Sequence, residues 1–361
     1  MKFVYKSLMD FALWVYIRFN GAPLKKSLEE LRDTPKTSIL VFSNTALGDT
    51  LLSTPAIKSL RDSFPEARIT LFVHKNIYPL LEGSEFVDNL IVYHGGYKKF
   101  FGTVMQLRHT KADIALLLHS NGPQDIPMAI MSGAKTILKT PTKSSYKHRL
   151  SYEFAKKEQH TIEDRLDLVR AVGGDKLTTR MLLPQRYYEH KKREILPEGA
   201  LVVGFQPGAA NIYKMWPIEN FKELAKMILA EYPNAVVAVS GSKKEHRLGE
   251  AIKEVNSERI TNFCGKFAIE SLPKLISEMD VLVTNDTGTM HVAIALGVST
   301  VELFSGSESK ETGAYQDLDR HIVVQKDGSY IRSGGTKKHR SADAMKLIVP
   351  VDVFIYLRTR L

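Results

Sequence analysis

Apolar residues come in short runs separated by polar, glycine-containing turns, and this alternation sets the fold from residue 38 onward. Runs at 39–42, 69–73, 90–92, 114–118 and 136–138 read as strands. Helical patterns separate them. A second series of strands follows at 201–205, 235–239, 281–283 and 300–304. The helix opened by Trp216-Pro217 keeps Phe221, Leu224, Ile228 and Leu229 inside. Strict alternation predicts a doubly wound α/β protein of two Rossmann-like domains facing each other. The charged, aromatic stretch from Leu183 through Tyr187, His190, Lys191, Lys192 and Arg193 to Pro197 reads as a linker. The expected parts are an N-terminal amphipathic extension at 1–37, a first domain at 38–185, a linker at 186–199, a second domain at 200–345 and a closing helix at 346–361.

Within the extension, a helical wheel puts Val4, Leu8, Phe11, Ala12, Val15 and Phe19 on one face, with Lys2, Lys6, Asp10 and Arg18 off it. The uncharged run 11–17 is too short to span a bilayer, and Asp10 with no small-residue cleavage site argues against a signal peptide. Two readings stay open. The helix lies in a membrane interface, helped by Trp14 and Tyr16, or it packs on its own domain.

Composition narrows the class. The 361 residues are 43% hydrophobic, enough for two ordinary cores. The single cysteine, Cys264, excludes an intrachain disulfide and a multi-cysteine metal site, and points to a reducing compartment such as the cytoplasm. A formal net charge of +10 favours anionic partners. It concentrates at Lys135, Lys139, Lys143, Lys147, His148 and Arg149, and at Arg332, Lys337, Lys338, His339 and Arg340. No RNA or DNA module accompanies it, and no Gly-x-Gly-x-x-Gly fingerprint or Walker loop supports a nicotinamide or ATPase reading.

Three strand-to-helix turns carry the candidate chemistry. Asn285-Asp286-Thr287-Gly288-Thr289-Met290-His291 follows an apolar strand and opens a helix, whose free N–H groups suit a diphosphate; Asp286 or Thr287 as a plain helix cap is the other reading. Gly48-Asp49-Thr50 opens a helix after the first strand, where the dipole favours an ionised Asp49 as general base or as cap. Gln206-Pro207-Gly208-Ala209 ends a strand in a small-residue turn that approaches phosphate, with Lys214 placed to neutralise it. Asp317-Leu318-Asp319 has the form of a metal-binding pair but no strand-end context, and reads as surface.

Together these segments resemble the ADP-heptose:lipopolysaccharide heptosyltransferases, glycosyltransferase family 9, across roughly residues 38–360. The matching motifs are Gly48 to Ile57, Pro207-Gly208-Ala209 with Lys214 and Trp216-Pro217, and Asn285-Asp286-Thr287-Gly288 with His291; Asp113 to Gly133, with His119-Ser120-Asn121-Gly122, is similar to a fourth stretch. The resemblance implies a GT-B fold, two Rossmann-like domains facing across a cleft, with acceptor on the first and nucleotide-sugar on the second. It implies inverting transfer from a nucleotide-sugar, ADP-heptose for the family, with no metal and no cofactor. Asp49 is then the base, and Gly48, Thr50, His119 and Asn121 meet the acceptor. Gly208, Lys214, Asp286, Thr287, Gly288 and His291 meet the diphosphate and sugar, Gly241 and Glu245 the ribose, and Lys266 lies beside the base.

The implied acceptor is a lipopolysaccharide core or similar anionic, lipid-linked glycan, reached from the cytoplasmic face of the inner membrane by peripheral contact. Two departures stand out. Phe304 is followed by Ser305-Gly306-Ser307-Glu308 where the family usually has Gly-Pro-Thr, and the extension before residue 38 is longer than in typical members. Another donor, a protein acceptor, or a non-catalytic anionic-surface binding protein on the same scaffold are the competing readings.

Overall fold

The computed structural model describes residues 2–19, 23–189, 193–305, 308–326 and 343–361. The side chains of Lys2, Val4 and Lys6, and residues His190, Lys191, Lys192, Gly306, Ser307, Arg332, Lys337, Lys338, His339 and Arg340, lie outside it. The chain divides into two compact units, Met1–Arg180 and Met181–Leu361.

The first unit is built on five parallel strands, β1 (Ser38–Ser43), β2 (Arg68–His74), β3 (Asn89–Tyr93), β4 (Ile114–His119) and β5 (Thr136–Lys139), in the order β3-β2-β1-β4-β5. All of β1 is buried, as a strand covered by helices on both faces requires. The second unit holds β6 (Leu201–Gln206), β7 (Ala235–Val239), β8 (Ile260–Asn262), β9 (Val281–Asn285), β10 (Ser299–Phe304) and β11 (His321–Gln325), in the order β11-β10-β9-β6-β7-β8, again all parallel. Of these, β8 and β11 have no counterpart in the expected strands. They are the two edges of the sheet, and each buries only part of its side chains; β8 has no apolar run, whereas Ile322-Val323-Val324 of β11 is a short one that went unread.

In each sheet the chain moves outward along one side, then returns to lay a strand against the first. That reversal falls between β1 and β4 and between β6 and β9, and in a parallel α/β sheet the crevice at such a point lies beyond the carboxyl ends of the strands. The opposite ends are tied by carboxylates. Asp113 accepts from the N–H groups of Thr37 and Ser38, Asp88 from Ile69, and Asp280 from Val202. Part of the stretch read as a linker is likewise held inside the second unit, where the Glu278 carboxylate accepts the N–H groups of Glu194, Ile195 and Leu196 at 2.8–2.9 Å.

The N-terminal helix, Lys2–Phe19, buries Leu13 and Ile17 in the first unit's core beside Phe100, Val104, Ile126 and Ile130, with Met9 and Tyr16 against the same cluster. Asp10 accepts a hydrogen bond from the Tyr97 hydroxyl. The face singled out from the sequence is the other one: Leu8, Phe11, Ala12 and Phe19 are exposed, Phe11 by 63%. The helix is apolar nearly all round, so a wheel finds its wider apolar face and misses the narrow one that docks. Leu13→Ala and Ile17→Ala should each cost about 2 kcal/mol or more, read from urea unfolding; unchanged midpoints would mean the helix is not part of this core.

Candidate active site

Beyond β1 the chain turns through Asn44–Ala46 into the short helix Leu47–Leu51, which places Asp49 in its first turn. The helix has no side-chain cap. Asp49 instead meets side chains: Thr45 Oγ1 donates to Oδ2 at 3.3 Å, and His119 Nε2 lies 3.3 Å from Oδ1. Behind it Arg165, wholly buried on the helix Thr161–Ala171, donates Nη1 to the Asp49 carbonyl at 2.6 Å and brings Nη2 within 3.8 Å of Oδ1. The carboxylate keeps 33% of its surface exposed, so it is gripped from within and open on one side.

His119 reaches this place through an irregularity. The β1–β4 ladder pairs Phe42 with Leu117 and then Ser43 with His119, skipping Leu118. Burial first, and then the Arg165 charge, pull the imidazole down to about 4 against the opposing pull of Asp49, so the ring is neutral at ordinary pH. On its other side the ring brings Nδ1 to 2.6 Å from Thr45 Oγ1. Asn121 Nδ2 sits 3.2 Å from its Nε2.

The residues expected around the acceptor therefore divide. Asp49, His119 and Asn121 come together, whereas Thr50 is fully buried and donates its hydroxyl to the Ala46 carbonyl, and Gly48 serves the turn through its carbonyl. Lys139, counted within a basic surface cluster, is in fact buried at the end of β5, where it donates to the Ser120 carbonyl and hydroxyl. Burial lowers its ammonium to about 8, against the attraction of Asp125. Asp125 in turn accepts from Asn44 Nδ2 at 3.1 Å and from the Gly122 N–H at 2.6 Å. Arg165, Asp125 and Asn44 were missed because each lies far along the chain from Asp49 or inside a pattern that reads as ordinary helix or turn.

The second unit builds its site at the β6 and β9 ends. Asn285 joins the two loops, donating Nδ2 to the Pro207 carbonyl at 2.8 Å and accepting from the Trp216 N–H at 3.0 Å. Lys214 forms an ion pair with Asp286. Thr287 stands at the N-cap of the helix Gly288–Leu296 but makes no side-chain cap, and its buried Oγ1 has no hydrogen-bond partner among the described residues. His291 is buried one turn into that helix.

Glu245 draws the remaining expected residues together. A Cβ on Gly208 would fall 1.7 Å from Glu245 Oε1, and one on Gly241 would fall 3.0 Å from Oε2, so both turns close around this carboxylate because neither has a side chain. Gly265 donates its N–H to the Gly241 carbonyl at 2.8 Å, and next to it the Lys266 ammonium lies 5.5 Å over the Phe263 ring. Asp317 and Asp319 lie before β11, and among the described residues no group of three or more His, Cys, Asp or Glu could hold a metal ion.

These features sit on a chain whose residues 125–338 match glycosyltransferase family 9 (heptosyltransferase). The chain belongs to that family. Among its relatives, the lipopolysaccharide heptosyltransferase 2 of Salmonella typhimurium is 26% identical over 328 residues, covering 82% of this chain and 91% of the relative. The lipopolysaccharide heptosyltransferase 3 of Escherichia coli is 24% identical, covering 72% and 81%. Two solved structures share the fold. ADP-heptose lps heptosyltransferase II of E. coli aligns with a TM-score of 0.73 at 22% identity over 90% of this chain and 98% of the other. An E. coli heptosyltransferase solved with ADP aligns with a TM-score of 0.72 at 14% identity over 90% and 100%. The chain is thus a GT-B glycosyltransferase of the heptosyltransferase family, with two parallel α/β sheets.

One further group of this glycosyltransferase escaped the sequence. Glu302, in the middle of β10, is wholly buried; its Oε1 accepts from Thr300 Oγ1 at 2.9 Å and its Oε2 from the Ala314 N–H at 3.2 Å. Thr300 Oγ1 also lies 2.8 Å from His321 Nδ1. Burial, with the nearby negative charge of Asp286 in the same direction, pushes the carboxyl up from 4.5 to about 7 against those two hydrogen bonds. The folded state holds this proton more tightly than the unfolded chain. Its contribution to stability is complete below pH about 4.5 and is lost as pH rises through about 7. Glu302→Gln should therefore flatten that part of the stability profile, measured as urea midpoints across the window; a parallel slope in the variant would show that Glu302 does not titrate there.

Proposed function

We propose that this glycosyltransferase moves heptose from ADP-heptose to a lipopolysaccharide core or similar anionic glycan, by single displacement with inversion and without a metal. The observation that carries this reading is Asp49: a carboxylate open on one side, fixed by Arg165 and His119, and engaged by no capping N–H of its own helix. In the reaction the acceptor hydroxyl gives its proton to Asp49 as its oxygen bonds the anomeric carbon. The bond from that carbon to the diphosphate breaks with the electron pair leaving on phosphate. The N-terminus of the helix Gly288–Leu296, the Thr287 hydroxyl and Lys214, released from Asp286, take up the developing charge.

The choice of donor draws on the relatives named for lipopolysaccharide and on the related enzyme solved with ADP. Glu245 and Lys266, close to Gly208 and Gly241, would meet the nucleoside. Ser305 to Glu308, which replaces the family's usual Gly-Pro-Thr, supports a second reading with a different nucleotide-sugar or acceptor. The enzyme would work on the cytoplasmic face of the inner membrane through peripheral contact; among the described residues no helix is long and apolar enough to cross a membrane.

Asp49→Asn should leave the fold and donor binding intact and lower turnover at least ~10²-fold, since it removes the proton acceptor and keeps the side-chain shape. The parent should keep its rate in excess chelator. Near-normal transfer by the folded variant would remove Asp49 from the mechanism, and rate lost to chelator but restored by Mg²⁺ would remove metal independence.

For the donor, thermal unfolding with a panel of nucleotide-sugars distinguishes the readings. The true donor at a hundred times its Kd should stabilise by about 2.7 kcal/mol, and Lys214→Ala should erase most of that gain while leaving the unliganded midpoint nearly unchanged. Stabilisation by another nucleotide-sugar and none by ADP-heptose would replace the donor; equal gains in variant and parent would free Lys214 of its role.

A further inference from the structure

The N-terminal helix is two-faced in a way that a merely packed helix is not. Leu13 and Ile17 fix it to the first unit, so Leu8, Phe11, Trp14 and Phe19 are held outward on a rigid support. Phe11 and Trp14 stack at 6.0 Å between ring centres, and the Arg18 guanidinium lies 5.7 Å over the Trp14 ring, an aromatic and a cation side by side at the surface. A second helix, Phe100–His109, is anchored in the same core through Phe100, Val104 and Leu107 and exposes Phe101 by 67% and Met105 by 55%. Both helices pack on the helix Asp125–Met131, and the hydrogen bond from Tyr97 to Asp10 joins the start of the second to the first.

We propose that these two helices form one docking surface for an anionic membrane, which rests on the reading of a lipid-linked acceptor. Charge decides the occupant. Between His94 and Ala112 the chain carries Lys98, Lys99, Arg108 and Lys111 and no Asp or Glu. On the first helix Asp10 is the sole acidic residue, and it is engaged by Tyr97. Apolar and aromatic side chains rimmed by cations suit the boundary between headgroups and acyl chains. A second copy of the same surface would bring like charges together, which disfavours a dimer through it. The Asp49 turn belongs to the same unit, so docking here would bring the acceptor-side chemistry to the membrane where its substrate resides.

The test uses the full chain and vesicles of phosphatidylglycerol with phosphatidylethanolamine, against phosphatidylcholine alone. Trp14 reports insertion directly, since the other tryptophan, Trp216, is buried in the second unit. Binding to the anionic vesicles should shift Trp14 emission to the blue. Leu8→Ser with Phe11→Ser, Phe101→Ser with Met105→Ser, and Lys98→Glu with Lys99→Glu should each weaken partition at least ~10-fold, with unfolding midpoints and transfer to a soluble acceptor analogue unchanged. Parent-like binding by the Phe101 and Met105 pair would overturn the shared surface. Equal binding to phosphatidylcholine, or a parent that self-associates while the variants stay monomeric, would overturn the anionic membrane as occupant. A parent that binds vesicles but transfers no heptose would overturn the catalytic reading alone and support the docking surface.

Discussion

Every strand in both sheets runs parallel, and that constraint decides where this protein can carry chemistry. Each crossover returns over a face of the sheet, so the loops that leave the carboxyl ends all gather on one edge. At the other end Asp113, Asp88 and Asp280 accept N–H groups from the first or second residue of a neighbouring strand and so use their charge in the fold. Beyond the carboxyl ends, Asp49 meets Thr45, His119 and Arg165, and Asp286 pairs with Lys214.

Within the first unit the arrangement depends on burying a guanidinium. Removing a full positive charge from water is costly, and burial lowers the Arg165 pKa to about 10 even with Asp49 and Asp164 opposing it. The Asp49 carbonyl accepts Nη1 and the Asp49 carboxylate, 3.8 Å from Nη2, offsets the charge at longer range, while Nε and Nη2 make no hydrogen bond among the described residues. Dependence runs both ways: Arg165 orients Asp49, and Asp49 compensates Arg165. Loss of the carboxylate by truncation therefore strands a buried cation, whereas an amide in its place still offers an oxygen. Neutral His119 completes the enclosure without adding a second positive charge that Asp49 would have to balance.

The sequence was legible where local pattern and final environment agree. Central strands such as β1 and β9 are buried end to end and announce themselves as apolar runs, and the glycines at 208 and 241 mark turns that only a missing side chain permits. Legibility fails where environment depends on distant chain. The edge strands β8 and β11 are short and only partly buried, so neither stands out as a long apolar run. Glu302 reads as a flaw in a strand until Thr300 and the Ala314 N–H are seen to enclose it, and Lys139 reads as surface charge until the end of β5 buries it against Ser120. The N-terminal helix resisted for another reason: it has two apolar faces, and a periodicity with two maxima cannot say which one is inside.

The skipped pairing at Leu118 carries a different kind of information. Were the β1–β4 ladder regular, Ser43 would stand opposite Leu118, and His119 would fall one place later, out of line with the Asp49 turn. What brings imidazole and carboxylate together is thus partly the count of residues in β4, not their chemistry alone. A catalogue of substitutions tests letters and leaves spacing untouched, so it would record Leu118 as one more buried leucine. Its role as a spacer would surface only when the length of the strand is changed.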